Sequence, residues 1–317
     1  MGSLSETYRR SIARIANAAG GISLFDEPMA RHTTWQIGGP ADLWIVPDSV
    51  DGVLNVISIC NETDVPWTVI GHGSNVLVSD DGYRGVVINI EAAANALDVE
   101  GATVEIGGGR PLSELDRIAL ETNLSGPDNW VGIPGTVGGA VAGNAGAFGA
   151  AVCSFISALH LARPDGDGWV SMSEIPHHYR HCHLLPDTIV LAARFSFVPE
   201  ANETIRARRR VCAEQRTESQ PTGVACAGSV FRNPPDRSAG SLIDETGMKG
   251  FRLGGAVISE KHANFIVNTG GATAQDVARI IDETRRRVND ATGIWLEPEV
   301  RFVGRFDIDT DTETFRI

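Results

Sequence analysis

Apolar positions recur at helical spacing over residues 8–15, where Tyr8, Ile12 and Ile15 alternate with Arg9, Arg10 and Arg14. The same period returns over 48–61, where Val50, Val53, Leu54 and Ile57 share one face. PWTVIG then predicts a short buried strand, and the chain runs straight into GHGSNVLVSDDGYRGVVINI, in which Gly71, Gly73 and Gly82 punctuate two β-branched runs. A glycine loop therefore stands between strands. A dinucleotide fold of the Rossmann type needs that loop between a strand and a helix N-terminus, with an acidic partner about 20 residues on. The GxGxx at 71 fails this test. TVEIGGG at 103–109 predicts a further strand, and SELDRIALETN a helix with Leu115, Ile118 and Ala119 on one face and Ser113 as its N-cap. TIVLAARFSFV predicts a strand, and PEANET marks a boundary near 199–205 before an arginine-rich helix. A helix from Ala274 to about Asn289 carries Val277, Ile280, Ile281 and Val288 near one face, with Thr273 and Asp276 as a capping box. The polar, acidic DIDTDTET beyond Gly304 reads as a frayed tail.

Between Gly132 and Gly149 the sequence is GIPGTVGGAVAGNAGAFG, eight of whose eighteen residues are glycine or proline. A flexible linker has little use for the apolar Ile133, Val137, Val141 and Phe148 interleaved there. Backbone unshielded by side chains can instead lie against a flat or anionic ligand.

At 317 residues, with 42% hydrophobic residues and no apolar run near the length of a bilayer span, the expectation is a soluble protein of two or three packed parts. The net charge of −13 argues against a nucleic-acid partner, and the arginine runs 206–210 and 285–287 read as solvated helix faces. Five scattered cysteines, Cys60, Cys153, Cys182, Cys212 and Cys226, read as reduced cytoplasmic thiols. His177, His178, His181, Cys182 and His183 crowd seven residues but do not alternate to one face of a regular element, so no metal site is expected.

The motifs together resemble the UDP-N-acetylenolpyruvoylglucosamine reductase (MurB) family. RHTTWQIGGPADLW, GHGSNVLVSDDG, GIPGTVGGAVAGNAGAFG, HHYR, AGSVFRNP, SLIDETGMKGFRLGGAVISEKHANFIVN and LEPEVRFVG follow its order and spacing over roughly residues 30–304. The resemblance implies an α+β fold: a two-subdomain FAD-binding module of the vanillyl-alcohol oxidase/PCMH type (1–92 with the N-terminal helix, and 93–202), then an α+β substrate-binding domain (203–317). It implies non-covalent FAD, with NADPH as co-substrate. The reaction would be reduction of UDP-N-acetylglucosamine enolpyruvate to UDP-N-acetylmuramate in peptidoglycan precursor synthesis, by a cytoplasmic enzyme with small-molecule partners, no membrane partner, and a monomeric state favoured.

Carried over residue by residue, the resemblance assigns FAD contacts to Gly71, His72, Gly73, Ser74 and Asn75, and to Gly132, Ile133, Pro134, Gly135, Thr136, Gly138, Gly139, Asn144, Gly146 and Ala147. Ser229 matches the proton donor, Arg180 the catalytic arginine that clamps a carboxylate, and Glu299 the catalytic glutamate that shares a proton with the substrate's carboxyl group. Strand alternation puts Glu297 on the same face as Glu299, so spacing alone does not separate them. Asn233 and His262 match substrate contacts, and Arg216 is the nearest candidate for a basic residue holding the UDP diphosphate. Departures from the family pattern are Trp35, Gln36 and Cys182, the last standing where a serine is usual. The alternatives are a flavin oxidase of the same superfamily, with His72 as a covalent attachment point, or a non-catalytic FAD-binding homologue. Ser229 and Glu299 inside intact reductase motifs speak for the reductase.

Overall fold

A computed structural model describes residues 5–307; the acidic tail beyond Asp307 lies outside the described residues. The chain divides into two compact units, one of residues 1–26, 42–71 and 85–216, the other of 27–41, 72–84 and 217–317. The second unit thus draws two short stretches from inside the first expected segment.

Unit 1 has two hydrophobic cores. One gathers Ile12 and Ile15 of the helix Glu6–Ala18, Val53, Val56 and Ile57 of the helix Val50–Glu62, and Leu43, Ile45, Val86 and Ile88. Serine caps start both helices: Ser5 Oγ accepts from Tyr8 N, and Ser49 Oγ from Gly52 N. The strands of this part run in the order Ile22–Pro28, Pro40–Val46, Tyr83–Ile88, Trp67–Val69, the last two parallel. Since the helices bury one face and Leu43, Ile45, Val86 and Ile88 of the two central strands are fully buried, a helix-on-sheet layer results.

The other core lies on a five-stranded antiparallel sheet in the order Gly166–Ser171, Ile156–Arg163, Ile189–Ser196, Thr103–Gly107, Leu97–Glu100. Its filling includes Leu115 and Ile118 of the helix Ser113–Thr122, Val137 and Val141, and the aromatic group Trp130, Phe155, Phe195 and Phe197. Ser113 does not cap its helix. Leu112 occupies the cap position in helical conformation without a side-chain bond, and Ser113 is the first helical residue.

The helix Asn202–Ser219 is not a solvated arginine face as expected. Arg208 Nε lies 2.8 Å from the fully buried Asp128 carboxylate, and Arg209 Nε donates to Asp116 at 2.8 and 2.9 Å. These pairs hold the helix to unit 1 through Arg216, so the division of the chain falls after that residue.

Unit 2 is built on a four-stranded antiparallel sheet, Ala225–Cys226, Ile266–Asn268, Ala256–Ile258, Arg252–Leu253, covered by the helices Ala239–Glu245 and Ala274–Thr292. Thr273 and Asp276 form the expected capping box, and Asp80 accepts from the amides of Ala274 and Gln275, an anion at the positive helix end. The second arginine run is also not simply solvated: Arg285 is buried, donates to Leu296 O at 3.1 Å and lies over the Trp295 ring. Trp35 is fully buried in this core, its Nε1 donating to Ile266 O at 2.7 Å.

Candidate functional site

In unit 1 the two glycine segments meet. A Cβ on residue 71 would stand 2.4 Å from Thr136 Oγ1, so only glycine lets the backbone at 71 lie so close to the Thr136 side chain. Asn89 Nδ2 steadies that end of the loop by donating to the carbonyls of Ile70 and Gly71, a support sequence reasoning missed. Gly135 sits at φ 111, its carbonyl accepting from Leu112 N. Thr136 caps the short helix Val137–Ala142, Oγ1 accepting from Gly139 N, while Gly138 N donates to Gly108 O. Gly132, Pro134 and Gly139 are exposed, and Gly135, Gly138, Gly146 and Ala147 half-buried. Ile133 packs on the core.

Asn144, buried at φ 38, accepts from Cys153 N through Oδ1 and donates through Nδ2 to His178 O at 2.8 Å. It thereby joins the glycine segment to the hairpin His177–His178/His181–Cys182, whose two-residue turn is Tyr179–Arg180. Arg180 stands in that turn at φ 56, and its Nη2 donates to Gly146 O at 2.7 Å. Arg216 lies against Gly132, where a Cβ would be 2.8 Å from its Cδ, and Nη1 donates to Gly132 O at 3.4 Å. Burial lowers the Arg216 pKa, and the positive charge of Arg180 adds to that fall. Two guanidinium groups thus flank the ends of the Gly132–Gly146 segment in a common field.

The same turn corrects the spacing argument against a metal site. His178, His181 and His183 place one ring nitrogen each within 4.8 Å of the others, because the two-residue turn brings residues 178 and 181 opposite one another. His177 Nδ1 lies 3.1 Å from Ile175 O instead, and Cys182 is buried.

In unit 2, Gly73 takes φ 60, and a Cβ there would stand 2.0 Å from His32 O; its carbonyl accepts from Thr34 N. His72 and Ser74 beside it are half-buried. Asn75 Nδ2 donates to Glu299 O at 3.1 Å, Arg301 N donates to Asn75 O, and Val76–Val78 continues in parallel with Arg301–Val303. Glu299 N in turn donates to Val230 O at 2.7 Å. One hydrogen-bonded frame therefore carries Asn75, Glu299 and the residue next to Ser229. Glu299 is half-buried, whereas Glu297 is exposed with Arg232 Nη1 at 3.6 Å, a separation that spacing did not provide.

Ser229 follows Gly228, which turns at φ 73. The segment after it is clamped by the buried Asn264: its backbone oxygen accepts from Val230 N, Oδ1 accepts from Phe231 N, and Nδ2 donates to Phe231 O at 2.8 Å. Sequence reasoning missed Asn264; its only signal is a polar residue between the apolar positions of HANFIVN. Asn264 N donates to His262 Nδ1, which leaves the proton on Nε2. Burial lowers the His262 pKa, and repulsion from the Lys249 charge lowers it further. Asn233 Oδ1 accepts from Ala239 N, and His262 Cε1 lies 3.1 Å from where a Cβ on Gly240 would be, so both substrate candidates border the start of the helix Ala239–Glu245.

The donor set suits FAD. Residues 71–75 and 132–147 contain no carboxylate, and at Gly71, Gly73, Gly132 and Gly146 the backbone lies where a Cβ would collide with a neighbouring atom.

Residues 41–169 match the FAD binding domain family, and residues 220–303 the UDP-N-acetylenolpyruvoylglucosamine reductase, C-terminal domain family. The UDP-N-acetylenolpyruvoylglucosamine reductase of Bacillus subtilis (strain 168) is 40% identical over 287 residues, covering 90% of this chain and 95% of its own length. Reductase 1 of Bacillus anthracis is 41% identical over 297 residues, covering 93% and 99%. The crystal structure of the Thermus caldophilus reductase superposes with a TM-score of 0.78 at 33% identity, covering 89% of this chain and 98% of that one. With both halves of the fold matched and relatives covered almost end to end, the chain belongs to the UDP-N-acetylenolpyruvoylglucosamine reductase family of FAD-dependent oxidoreductases.

Proposed function

We propose that this protein reduces the enolpyruvyl ether of UDP-N-acetylglucosamine to UDP-N-acetylmuramate with NADPH, with Ser229, Arg180 and Glu299 as its catalytic residues. The observation that carries the reading is the frame in unit 2: Asn75 of the glycine loop bonds to Glu299 O, and Glu299 N bonds to Val230 O beside Ser229. A loop suited to the cofactor, a carboxyl group and a hydroxyl are thus built on adjoining backbone.

Gly71–Asn75 and Gly132–Ala147 would hold FAD non-covalently, supplying two-electron hydride chemistry to the terminal vinyl carbon when bound. Reduction at that carbon leaves negative charge delocalised into the substrate's carboxylate. Arg180 meets this charge with a guanidinium fork, stronger as charge accumulates. The Ser229 hydroxyl donates the proton that completes the adjacent carbon, a task within reach of a weak acid because the acceptor is a basic enolate. Glu299 hydrogen-bonds the carboxyl group. Arg216 takes the diphosphate, while neutral His262, through Nε2–H, and Asn233 contact the UDP-sugar. A cytoplasmic, monomeric state belongs to the same proposal; among the described residues, no helix is long and apolar enough to cross a membrane.

Stopped-flow absorbance of FAD-loaded Ser229→Ala tests it. NADPH should still bleach the flavin at the wild-type rate, while turnover of the enolpyruvyl sugar falls by roughly 10²–10⁴-fold, the usual contribution of a positioned acid. Wild-type turnover in this variant would remove Ser229 from the reaction.

A further inference from the structure

The hairpin that carries Arg180 holds three imidazoles in one cluster. His178 and His181 are cross-strand partners flanking the turn, and His183 lies two positions further along, on the same side by strand alternation. The ring centroids are 4.9 Å apart for His178 and His181, 5.0 Å for His178 and His183, and 4.2 Å for His181 and His183. One ring nitrogen from each lies within 4.8 Å of the other two. A tetrahedral ion with bonds of about 2.0–2.1 Å holds its ligand nitrogens about 3.3 Å apart. Ring rotation and shifts of about an ångström therefore close the triangle. His178 and His183 are exposed and His181 half-buried, so an ion has access and water can complete its coordination.

We propose that His178, His181 and His183 bind one divalent transition-metal ion of the imidazole-preferring class, which includes Zn²⁺, Ni²⁺, Co²⁺ and Cu²⁺. The ligand chemistry selects this class: three neutral nitrogens and no carboxylate disfavour Mg²⁺ and Ca²⁺, which require oxygen. The chelate spans the turn in which Arg180 takes φ 56, and Asn144 Nδ2 already ties His178 O to the glycine segment. An ion held here fixes both strands of the hairpin that presents the Arg180 guanidinium to Gly146.

The test uses tag-free, FAD-loaded protein titrated with Zn²⁺ in competition with a chromophoric chelator, alongside Cu²⁺ electron paramagnetic resonance. One zinc per chain is expected, with nitrogen hyperfine structure from imidazole in the copper spectrum. His183→Ala and His178→Ala should each weaken zinc binding by roughly 100-fold, since each removes one of three ligands. Unchanged flavin absorbance and thermal midpoint without metal would show that the variants fold. Zinc binding that is absent from the wild type, or that survives both substitutions undiminished, overturns the proposal; the second result would point to the buried thiols Cys153 and Cys182 instead.

Discussion

Asn264 offers a quantitative probe of the frame that holds Ser229. Its side chain satisfies both backbone groups of the buried Phe231, accepting from N–H at 2.9 Å and donating to C=O at 2.8 Å. Asn264→Ala leaves both without a partner. Each buried orphan costs about 1–3 kcal/mol, so the local loss is roughly 2–6 kcal/mol, or an opening equilibrium larger by roughly 30- to 20,000-fold. Hydrogen exchange of the peptide spanning 229–232, measured by mass spectrometry on the FAD-loaded protein, should accelerate toward that range, while exchange in Ile156–Arg163 of unit 1 stays at wild-type rate. Asn264→Asp sharpens the argument. An ionised carboxylate still accepts from Phe231 N–H but faces Phe231 O with a second acceptor, whereas its protonated form restores the donor. The folded-state pKa of the new carboxyl must then rise above the unfolded value of about 3.9. For an acid shifted upward, the unfolded chain loses its proton first, so stability falls as pH rises through the interval and stays low above it. The deficit of Asn264→Asp against wild type should be largest at neutral pH and shrink on acidification. Wild-type exchange of 229–232 in Asn264→Ala, or a deficit independent of pH in Asn264→Asp, would refute the clamp.

Three further outcomes follow from the site. Gly71→Ala places a methyl group 2.4 Å from Thr136 Oγ1, so the purified variant should carry less FAD per chain by the ratio of flavin to protein absorbance; full occupancy would show that the two glycine segments need no such approach. Acid precipitation of the wild type should release all yellow colour to the supernatant, because FAD is held non-covalently; colour retained in the pellet would favour attachment through His72. Burial and Lys249 lower the His262 pKa, so the neutral donor persists below the usual histidine range. KM for the enolpyruvyl sugar should therefore stay level on the alkaline side and rise only as pH falls through that lowered value, and His262→Gln should remove this acid limb; an identical limb in the variant would assign it to another group.

Much of the fold is legible in hydrophobic spacing, because the helices Glu6–Ala18, Val50–Glu62 and Ala274–Thr292 each bury a single face and carry side-chain caps. What spacing cannot supply is partnership between distant residues. Arg208 and Arg209 look like any solvated arginines until Asp128 and Asp116 are brought to them, and Ser113 resembles an N-cap although the helix starts one residue earlier than its hydroxyl could serve. The roles proposed for Ser229, Arg180 and Glu299 rest on motif resemblance, since nothing in one sequence joins positions so far apart.

Glu297 and Glu299 show where geometry adds information. Alternation makes them equivalent, yet the single bridge between Phe231 and Pro298 gives Arg232 N to Glu297 O and Glu299 N to Val230 O, so each acid is tied to a different neighbour. Glu297 is then left exposed beside Arg232, while Glu299 is drawn between Asn75 and the Ser229 segment. The histidine cluster follows the same logic with the opposite result. Irregular spacing argues that 178, 181 and 183 diverge, but a two-residue turn resets the alternation and restores them to one side. In both cases a short irregular element, a bridge or a turn, decides which side chains meet, and such elements leave almost no trace in periodicity.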